Sequence, residues 1–260
     1  MGKGSIKKLT NTMIKLFRNI RQKLAAENKF MAYSRYAIGE IVLVVIGILI
    51  ALSINNWNSQ KKLRGEELNM LNEIKLNLKT CKEELQYTLK SNKQFENNYI
   101  LLLEHIEGKR PYKPELDTIF SQVHAWQSPY LTYSAYETLK SKGADIIQND
   151  SLRIQIINIY ESAFTYLSKD WDQSEWRDSQ SVVVPYFVKH FARDIDSLKA
   201  KPIDYDALIA DPEFANILRK LITNRKWGNN ACEGISNYLD TVVANIDKEL
   251  ETRGFKSDTQ

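Results

Sequence analysis

Residues 37–58 read AIGEIVLVVIGILIALSINNWN, which is the most apolar segment of the chain. A bilayer core about 30 Å thick is crossed by about 20 helical residues. The apolar run from Ile41 to Ile54 is shorter than that, so a span must also use the residues on either side of it. We therefore expect a transmembrane helix over residues 36–56, with Glu40 about one turn inside one membrane face.

The segment before this helix is strongly basic. Residues 1–35 hold nine Lys or Arg and one acidic residue, about +8, so a chain of net charge +4 carries about −4 elsewhere. The positive-inside rule predicts a cytoplasmic N-terminus and an extracytoplasmic remainder, at the inner membrane. Two alternatives stay open: the buried helix of a soluble protein, and a cleaved signal peptide ending near the triplet Ala51-Leu52-Ser53.

The head, residues 1–35, also has a helical pattern. Its apolar residues recur at helical spacing with Lys and Arg between them, which predicts a partly helical cytoplasmic head lying on the anionic lipid bilayer. The alternative is a flexible basic tail that only sets topology. Because the excess of positive over negative charge is confined to this head, we expect no nucleic-acid partner. The apolar positions are Met13, Phe17, Ile20 and Leu24.

Small residues mark one side of the expected transmembrane helix. Gly47 and Ala51 form a small-xxx-small pair, and Glu40 lies on the same side seven residues earlier. This pattern predicts a helix–helix interface with a second copy or with a membrane-protein partner. The alternative for Glu40 is a carboxylate tolerated near the membrane boundary.

Residues 57–110 are predicted to form one long helix with a heptad pattern, ended by Gly108. Polar Thr88 and Asn92 interrupt its apolar seam. The seam belongs either to a parallel coiled-coil dimer or to the buried face of an intramolecular bundle. Its positions are Leu71, Ile74, Leu78, Cys81, Leu85, Thr88, Asn92, Phe95, Tyr99, Leu102 and Ile106.

The remainder, residues 111–253, is predicted to be an extracytoplasmic helical domain that packs with the long helix, followed by a disordered tail at 254–260. No pattern indicates a hairpin-rich sheet. The fold class is therefore all-α: one N-terminal transmembrane helix, a long amphipathic helix and a helical bundle. The expected helices are Pro114 to Trp126, Ser134 to Lys142, Asp150 or Ser151 towards Pro185, a helix opened by Asp211-Pro212, and Trp227 to Thr252.

The sequence contains no motif of catalysis. His105, His124 and His190 form no ligand pair, and no nucleophile elbow, phosphate loop or dinucleotide fingerprint is present. We therefore expect no catalytic residue, no cofactor and no metal site, and not an enzyme. Cys81 and Cys232 form either a disulfide or two buried free thiols.

Four aromatic residues near the middle of the chain are the best candidates for a partner or ligand surface. They are Trp126, Tyr130, Tyr133 and Tyr136. Exposed aromatic side chains in a loop would mark an interface. The alternative is that they pack the helical core.

Two stretches carry a resemblance to a known family. They are YAIGEIVLVVIGILIALSINNWN at 36–58 and AYETLKSKGADIIQNDSLRIQIINIYE at 135–161. Together they resemble an uncharacterised family of single-span bacterial membrane proteins, common in Bacteroidota, with a basic head, a span and a helical body. The resemblance implies this architecture and no known activity.

The predicted function is that of a membrane-anchored interaction or structural component of the cell envelope. One alternative is an extracytoplasmic module that senses a small ligand and signals through a partner. The other is a hydrolase, for which the sequence offers no motif.

Overall fold

A computed structural model describes Arg18, Asn19, Gln22 and residues 30–255 of the chain. The apolar side chains that predict an amphipathic head helix lie outside these residues. The fold is all-α, as the sequence predicts, with one small two-stranded sheet among the described residues. The chain divides into two units, Met1–Arg64 and Gly65–Gln260.

The first unit contains the beginning of α1, a helix of residues Phe30–Glu107. Every residue from Ile41 to Arg64 is exposed, although most of those up to Ile54 are large and apolar. This helix is long and apolar enough to cross a membrane, and none of its most apolar window is buried. A core helix of a soluble protein would bury such side chains within its own fold, so their exposure counts against that alternative.

The second unit is built from helices joined by short connections and one hairpin. In chain order the elements are α1 (Phe30–Glu107), a 3₁₀ turn (Pro114–Leu116), α2 (Asp117–Ser121), α3 (Ser134–Lys142), a 3₁₀ turn (Ala144–Ile146), α4 (Asp150–Asn158), π-helical segments at Ile159–Ala163 and Tyr166–Asp172, α5 (Gln173–Asp178), a π-helical segment at Ser179–Val183, α6 (Val184–His190), β1 (Phe191–Arg193), β2 (Ala200–Pro202), α7 (Tyr205–Ala210) and α8 (Pro212–Thr252). The antiparallel strands pair Phe191 with Pro202.

The long helices α1 and α8 are antiparallel neighbours. A series of contacts joins them, and the α8 numbers fall as the α1 numbers rise. The pairs are Lys75–Asp247 at 3.0 Å, Lys82–Asp240 at 2.5 Å, Lys93–Glu233 at 3.6 Å, Glu96–Asn229 at 2.8 Å and Glu107–Arg219. This register separates Cys81 from Cys232 by about 13 Å along α8 at 1.5 Å per residue, beyond disulfide reach, and both thiols are free and buried.

Two apolar clusters form the interior of the second unit. The first core takes α1 residues from Met70 to Leu85 and packs them against α3, the 150–171 region and the second half of α8. The second core takes α1 residues from Tyr99 to Ile106 and packs them against α2, α6, the hairpin and the first half of α8. The heptad seam is therefore buried by other helices of the same chain, as the bundle interpretation predicts.

Buried polar side chains lie between the two cores. We call this set the polar layer: Thr88, Asn92, Glu175, Arg225 and Asn229, each less than 5% exposed. Two of them are the residues that interrupt the heptad seam. Polar residues inside a helical seam commonly fix its register through hydrogen bonds that only one alignment satisfies. Asn92 makes such bonds, to the Gln127 backbone, whereas the buried Thr88 hydroxyl has no hydrogen-bond partner among the described residues.

The region 150–190 is helical throughout but alternates α-helical and π-helical turns. Its buried side chains repeat every fourth residue, and a strict four-residue repeat drifts around an α-helix of 3.6 residues per turn. The interspersed π-helical turns are closed by i to i+5 hydrogen bonds and contain more residues than an α-helical turn. They therefore keep side chains four residues apart on the same face of the helix. The repeat is Leu167, Trp171, Glu175, Ser179 and Val183.

Two expectations for this region are wrong in detail. The N-cap is Asn149, whose side chain accepts a bond from Leu152 N at 3.2 Å, whereas Asp150 pairs with Arg153 at 2.7 Å. Pro185 was expected to kink or end the helix, and the helix does not end there but continues to His190. That proline occupies the start of α6 directly after a π-helical segment, where its missing N–H costs little.

Three other local predictions differ from the structure. The helix expected from Pro114 to Trp126 already ends at Ser121. A hairpin forms where no strand was expected. The two final helices are one, α8, because its polar middle is buried in the polar layer instead of forming a loop. The start of α8 is confirmed, since Asp211 caps it by accepting a bond from Glu213 N at 2.8 Å.

A polar clasp joins the beginning and the end of the second unit. The Glu67 carboxylate, 1% exposed, accepts a bond from Gln148 N at 2.8 Å and from the Arg253 guanidinium at 2.5 Å. Arg253 also pairs with Glu249 at 2.6 Å. Just after it, Phe255 packs against the first core, and residues 256–260 lie outside the described residues.

Candidate functional site

The connection between α2 and α3, residues 122–133, has no helix or strand. We call it the 122–133 loop. Loops of this length in a compact domain are uncommon and are usually functional, because surface segments on a rigid scaffold carry most binding residues. Trp126, Tyr130 and Tyr133, three of the aromatic residues predicted to form a surface, belong to it.

The first half of the loop is anchored on the polar layer. Asn92 bonds the Gln127 backbone twice, donating to its carbonyl at 2.7 Å and accepting from its N–H at 3.0 Å. The Tyr99 hydroxyl lies 2.8 Å from the Ala125 carbonyl oxygen, and Arg225 donates to the same oxygen at 3.0 Å. Backbone groups of the loop thus replace solvent as partners of these buried side chains.

The second half of the loop is anchored on α1 near the first core. Asn77 donates to the Thr132 hydroxyl, and the Tyr160 hydroxyl donates to Asn77 at 2.6 Å. The thiol of Cys81 lies 3.6 Å from the Thr132 carbonyl oxygen. Burial raises the pKa of the Cys81 thiol, so it stays protonated and serves as a weak donor.

The centre of the loop is fastened to Asp172. The Trp126 indole donates to the Asp172 carboxylate at 2.8 Å, and the Ser128 hydroxyl donates to the same oxygen. The loop backbone is therefore held at both ends and in the middle. A surface held in this way loses little conformational entropy when a partner binds.

The polar layer contains a buried ion pair. The Arg225 guanidinium bonds the Glu175 carboxylate, each side chain is 1% exposed, and Arg225 lies 5.9 Å from the Tyr99 ring centroid. Burial raises the pKa of Glu175, and the charge of Arg225 opposes that rise. Burial also raises the pKa of Tyr99, to about 12.

The π-helical segments shape this layer. They keep Trp171 and Glu175 on the face that meets α8, where the Trp171 indole donates to the Asn224 carbonyl at 3.2 Å. The indole lies flat against Gly228, since a Cβ at that glycine would come closer than 3.0 Å to three of its ring atoms. Gly228 thereby permits close packing between α8 and the 150–190 region.

The loop displays aromatic side chains on the surface. Tyr130 is 79% exposed, and Trp176, on α5, is 59% exposed. The ring of Trp176 packs edge-on against half-buried Trp126 at 6.4 Å between centroids. We call Trp126, Tyr130 and Trp176 together the aromatic patch, in which Trp126 and Trp176 are in contact and Tyr130 belongs to the same loop as Trp126. Exposed aromatic side chains on a fixed scaffold are the usual anchors of protein interfaces.

The other two predicted surface residues are part of the packed interior. Tyr136 is 4% exposed and stacks parallel on Tyr160 at 4.5 Å, with its hydroxyl donating to Glu161 at 2.9 Å. Half-buried Tyr133 packs against the rings of Tyr160 and Phe164. These contacts match the core interpretation, so the four aromatic residues do not form one surface.

Sequence reasoning missed two side chains that build this site, Glu175 and Arg225. The available signal was the four-residue repeat of 150–190, which places Glu175 in line with buried apolar residues. The burial of Arg225 was indicated in the same way, since its spacing places it on the apolar face of α8, between Leu221 and Gly228.

The predicted membrane interface lies in the first unit. Glu40 is half-buried, and Ala51 is exposed. A Cβ at Gly47 would meet nothing within 4 Å, so that side of the helix is open to a second helix. Within the described residues, no group of three or more His, Cys, Asp or Glu is arranged to hold a metal ion.

Comparison with known proteins gives one match. No curated protein and no solved structure matches the chain. A family model matches residues 40–219, which begin inside the apolar segment, include the second motif of the resemblance and contain the 122–133 loop. The chain therefore belongs to the family of unknown function DUF6090.

Proposed function

We propose that this protein is a single-pass inner-membrane protein with a cytoplasmic N-terminus, and that its second unit is an extracytoplasmic interaction or structural component of the cell envelope. The observation that carries the proposal is the exposed apolar stretch of α1, which is long enough to cross a bilayer. The charge of about +8 in residues 1–35 supports the orientation.

Reporter fusions test this topology. Alkaline phosphatase, which folds only outside the cytoplasm, should be active when fused after residue 255 and inactive when fused after residue 35. A tag on the N-terminus should remain on the full-length chain in purified membranes. The reverse activity pattern, or loss of the tag by cleavage, would contradict a cytoplasmic N-terminus with an uncleaved anchor.

We further propose that the aromatic patch binds a protein partner. Two of its rings are mostly exposed, and its backbone is already held in place, so binding orders few groups. Affinity purification from native membranes should recover a partner that is lost in the double variant Tyr130→Ala/Trp176→Ala. The control is Tyr87→Ala, because Tyr87 is also 59% exposed but lies on α1. Equal recovery with both variants would count against the patch.

We also propose that Glu40, Gly47 and Ala51 face a second membrane helix, either of another copy or of a membrane-protein partner. The support is the open space beside Gly47 and the exposure of Ala51. Cysteines introduced at 47 or 51 should cross-link in native membranes, whereas a cysteine at 49 should not. Equal cross-linking at 49 would indicate random collision.

A further inference from the structure

An open groove of about 610 Å³ lies between two segments of the second unit. One wall is the connection after α1, residues 109–112. The other is the segment after β2, residues 203–206, together with Ile209 of α7. This volume is within the usual range for small-molecule sites, about 300–1,000 Å³.

The two walls are fixed to each other. The Tyr205 hydroxyl donates to the Arg110 carbonyl oxygen at 2.8 Å, and the Tyr112 and Tyr205 rings meet edge to face at 5.3 Å between centroids. Tyr112 in turn donates its hydroxyl to buried Asp117. The walls of the groove are therefore held together by contacts within the protein, and its lining includes aromatic surface.

The two walls of the groove carry side chains of opposite charge. Exposed Lys109 and Arg110 lie on the first wall, and exposed Asp206 lies on the second. None of the three side chains takes part in an ion pair within the described part of the chain. The neighbouring Asp204 is committed to the backbone, since it caps α7 by accepting a bond from Ala207 N at 3.0 Å.

Lys109 has an unusual backbone conformation for its residue type. Its φ of +46° lies in the left-handed region, which glycine adopts at least cost at the end of a helix. The residue follows Gly108 directly, so the chain places a lysine where a second glycine would suit the backbone better. A charged side chain is thus kept on the wall of the groove despite a conformational cost.

We propose that this groove binds a short peptide with free ends. The carboxylate end pairs with Lys109 and Arg110, the ammonium end pairs with Asp206, and an apolar side chain lies on the tyrosine rings and Ile203. A ligand of this class satisfies both walls at once. The inference does not depend on the proposed interaction of the aromatic patch.

The test uses the full chain in an uncharged maltoside detergent and the tripeptide Ala-Phe-Ala, titrated by saturation-transfer NMR. The free peptide should bind with a dissociation constant of about 1 mM or tighter. Its C-amide and its N-acetyl derivative should each bind about tenfold more weakly, since each lacks one charge-assisted contact. No binding of the free peptide up to about 10 mM, or equal binding of all three, would overturn the proposal.

Variants assign the charges to the walls. Arg110→Gln should weaken binding of the free peptide about tenfold and leave the affinity for the C-amide unchanged. Asp206→Asn should leave the affinity for the N-acetyl form unchanged. Lys109→Gly should weaken binding while raising the melting temperature, because it relieves the backbone. Lys113→Gln is a matched control, since exposed Lys113 lies in the same connection but does not line the groove.

The variants also separate the ligand role from a structural one, because basic residues stabilise a helix C-terminus. If Arg110→Gln and Lys109→Gly lower the melting temperature without changing the titration, the charges serve α1 and the proposal fails. Phosphocholine carries both charges without a peptide. If it binds as tightly as the tripeptide, the peptide assignment is wrong.

Discussion

Gly228→Ala is expected to destabilise the second unit, although alanine is the better helix former. The added methyl group would meet the fully buried Trp171 indole at less than 3.0 Å from three of its ring atoms. These atoms belong to a rigid fused ring, so the whole side chain must move. The matched control is Gly234→Ala in the same helix, where a Cβ meets nothing within 4 Å.

The magnitude follows from three terms. Overpacking a core costs about 1–3 kcal/mol, and loss of the Trp171 bond to the Asn224 carbonyl costs about 1 kcal/mol. Alanine has the higher helix propensity, which stabilises the helix by about 1 kcal/mol relative to glycine. Gly228→Ala should therefore destabilise by about 1–3 kcal/mol, whereas Gly234→Ala should stabilise by about 1 kcal/mol.

Thermal unfolding of the full chain in detergent, followed by circular dichroism, measures both changes. In a unit of this size 1 kcal/mol shifts the melting temperature by about 2–4 °C. Gly228→Ala should lower it by about 5 °C and Gly234→Ala should raise it by about 3 °C. In a Trp171→Phe background the Gly228→Ala loss should shrink, because the smaller ring can yield. If both alanines raised the melting temperature equally, the close packing of indole on glycine would be refuted.

Two further variants and one pH measurement probe the anchor of the 122–133 loop. Glu175→Gln should destabilise by about 3 kcal/mol because it leaves Arg225 as an uncompensated buried charge, measured by thermal unfolding. Asn92→Ala should cost about 2 kcal/mol and speed proteolysis of the loop, since two bonds to Gln127 are lost. Burial and a nearby arginine lower the pKa of His124 below 6.5, so stability should fall as pH drops through about 6.5, measured by melting temperature.

Each of these has a control. Glu233→Gln removes an exposed partner of Lys93 and should change stability by less than about 1 kcal/mol. Exposed Asn97→Ala should leave loop proteolysis unchanged. In His124→Gln the fall with pH should be smaller, because the unfolded state no longer gains an extra proton at that site. If Glu233→Gln lowered the stability as much as Glu175→Gln does, the special contribution of the buried ion pair would be refuted.

The sequence predicted elements whose ends carry local signals. α3 has the expected bounds because Gly143, with a φ of +94°, ends it. The start of α8 followed from the Asp211-Pro212 pair, and the burial of the α1 seam followed from its heptad spacing. Residues adjacent in the chain determine the two helix boundaries, whereas the heptad spacing predicts a buried face without specifying which helices bury it.

The polar layer could not be predicted in the same way. Apolar spacing places Glu175 and Arg225 in line with buried residues, but charged residues are rarely buried without a partner, and each partner here comes from another helix. The π-helical segments also depend on α8, because the four-residue repeat predicts π-helical turns only once α8 is known to cover that face. The loop was misjudged as a helix up to Trp126, since its backbone is satisfied by side chains distant in sequence.

The clasp between Glu67 and Arg253 has a mechanical consequence. Because α1 and α8 are antiparallel, the second unit begins and ends at the same side, with these two residues in contact. A force pulling on both ends of the unit would load the clasp first. It would then peel the helices apart one pair at a time, which needs less force than sliding both helices along their full length.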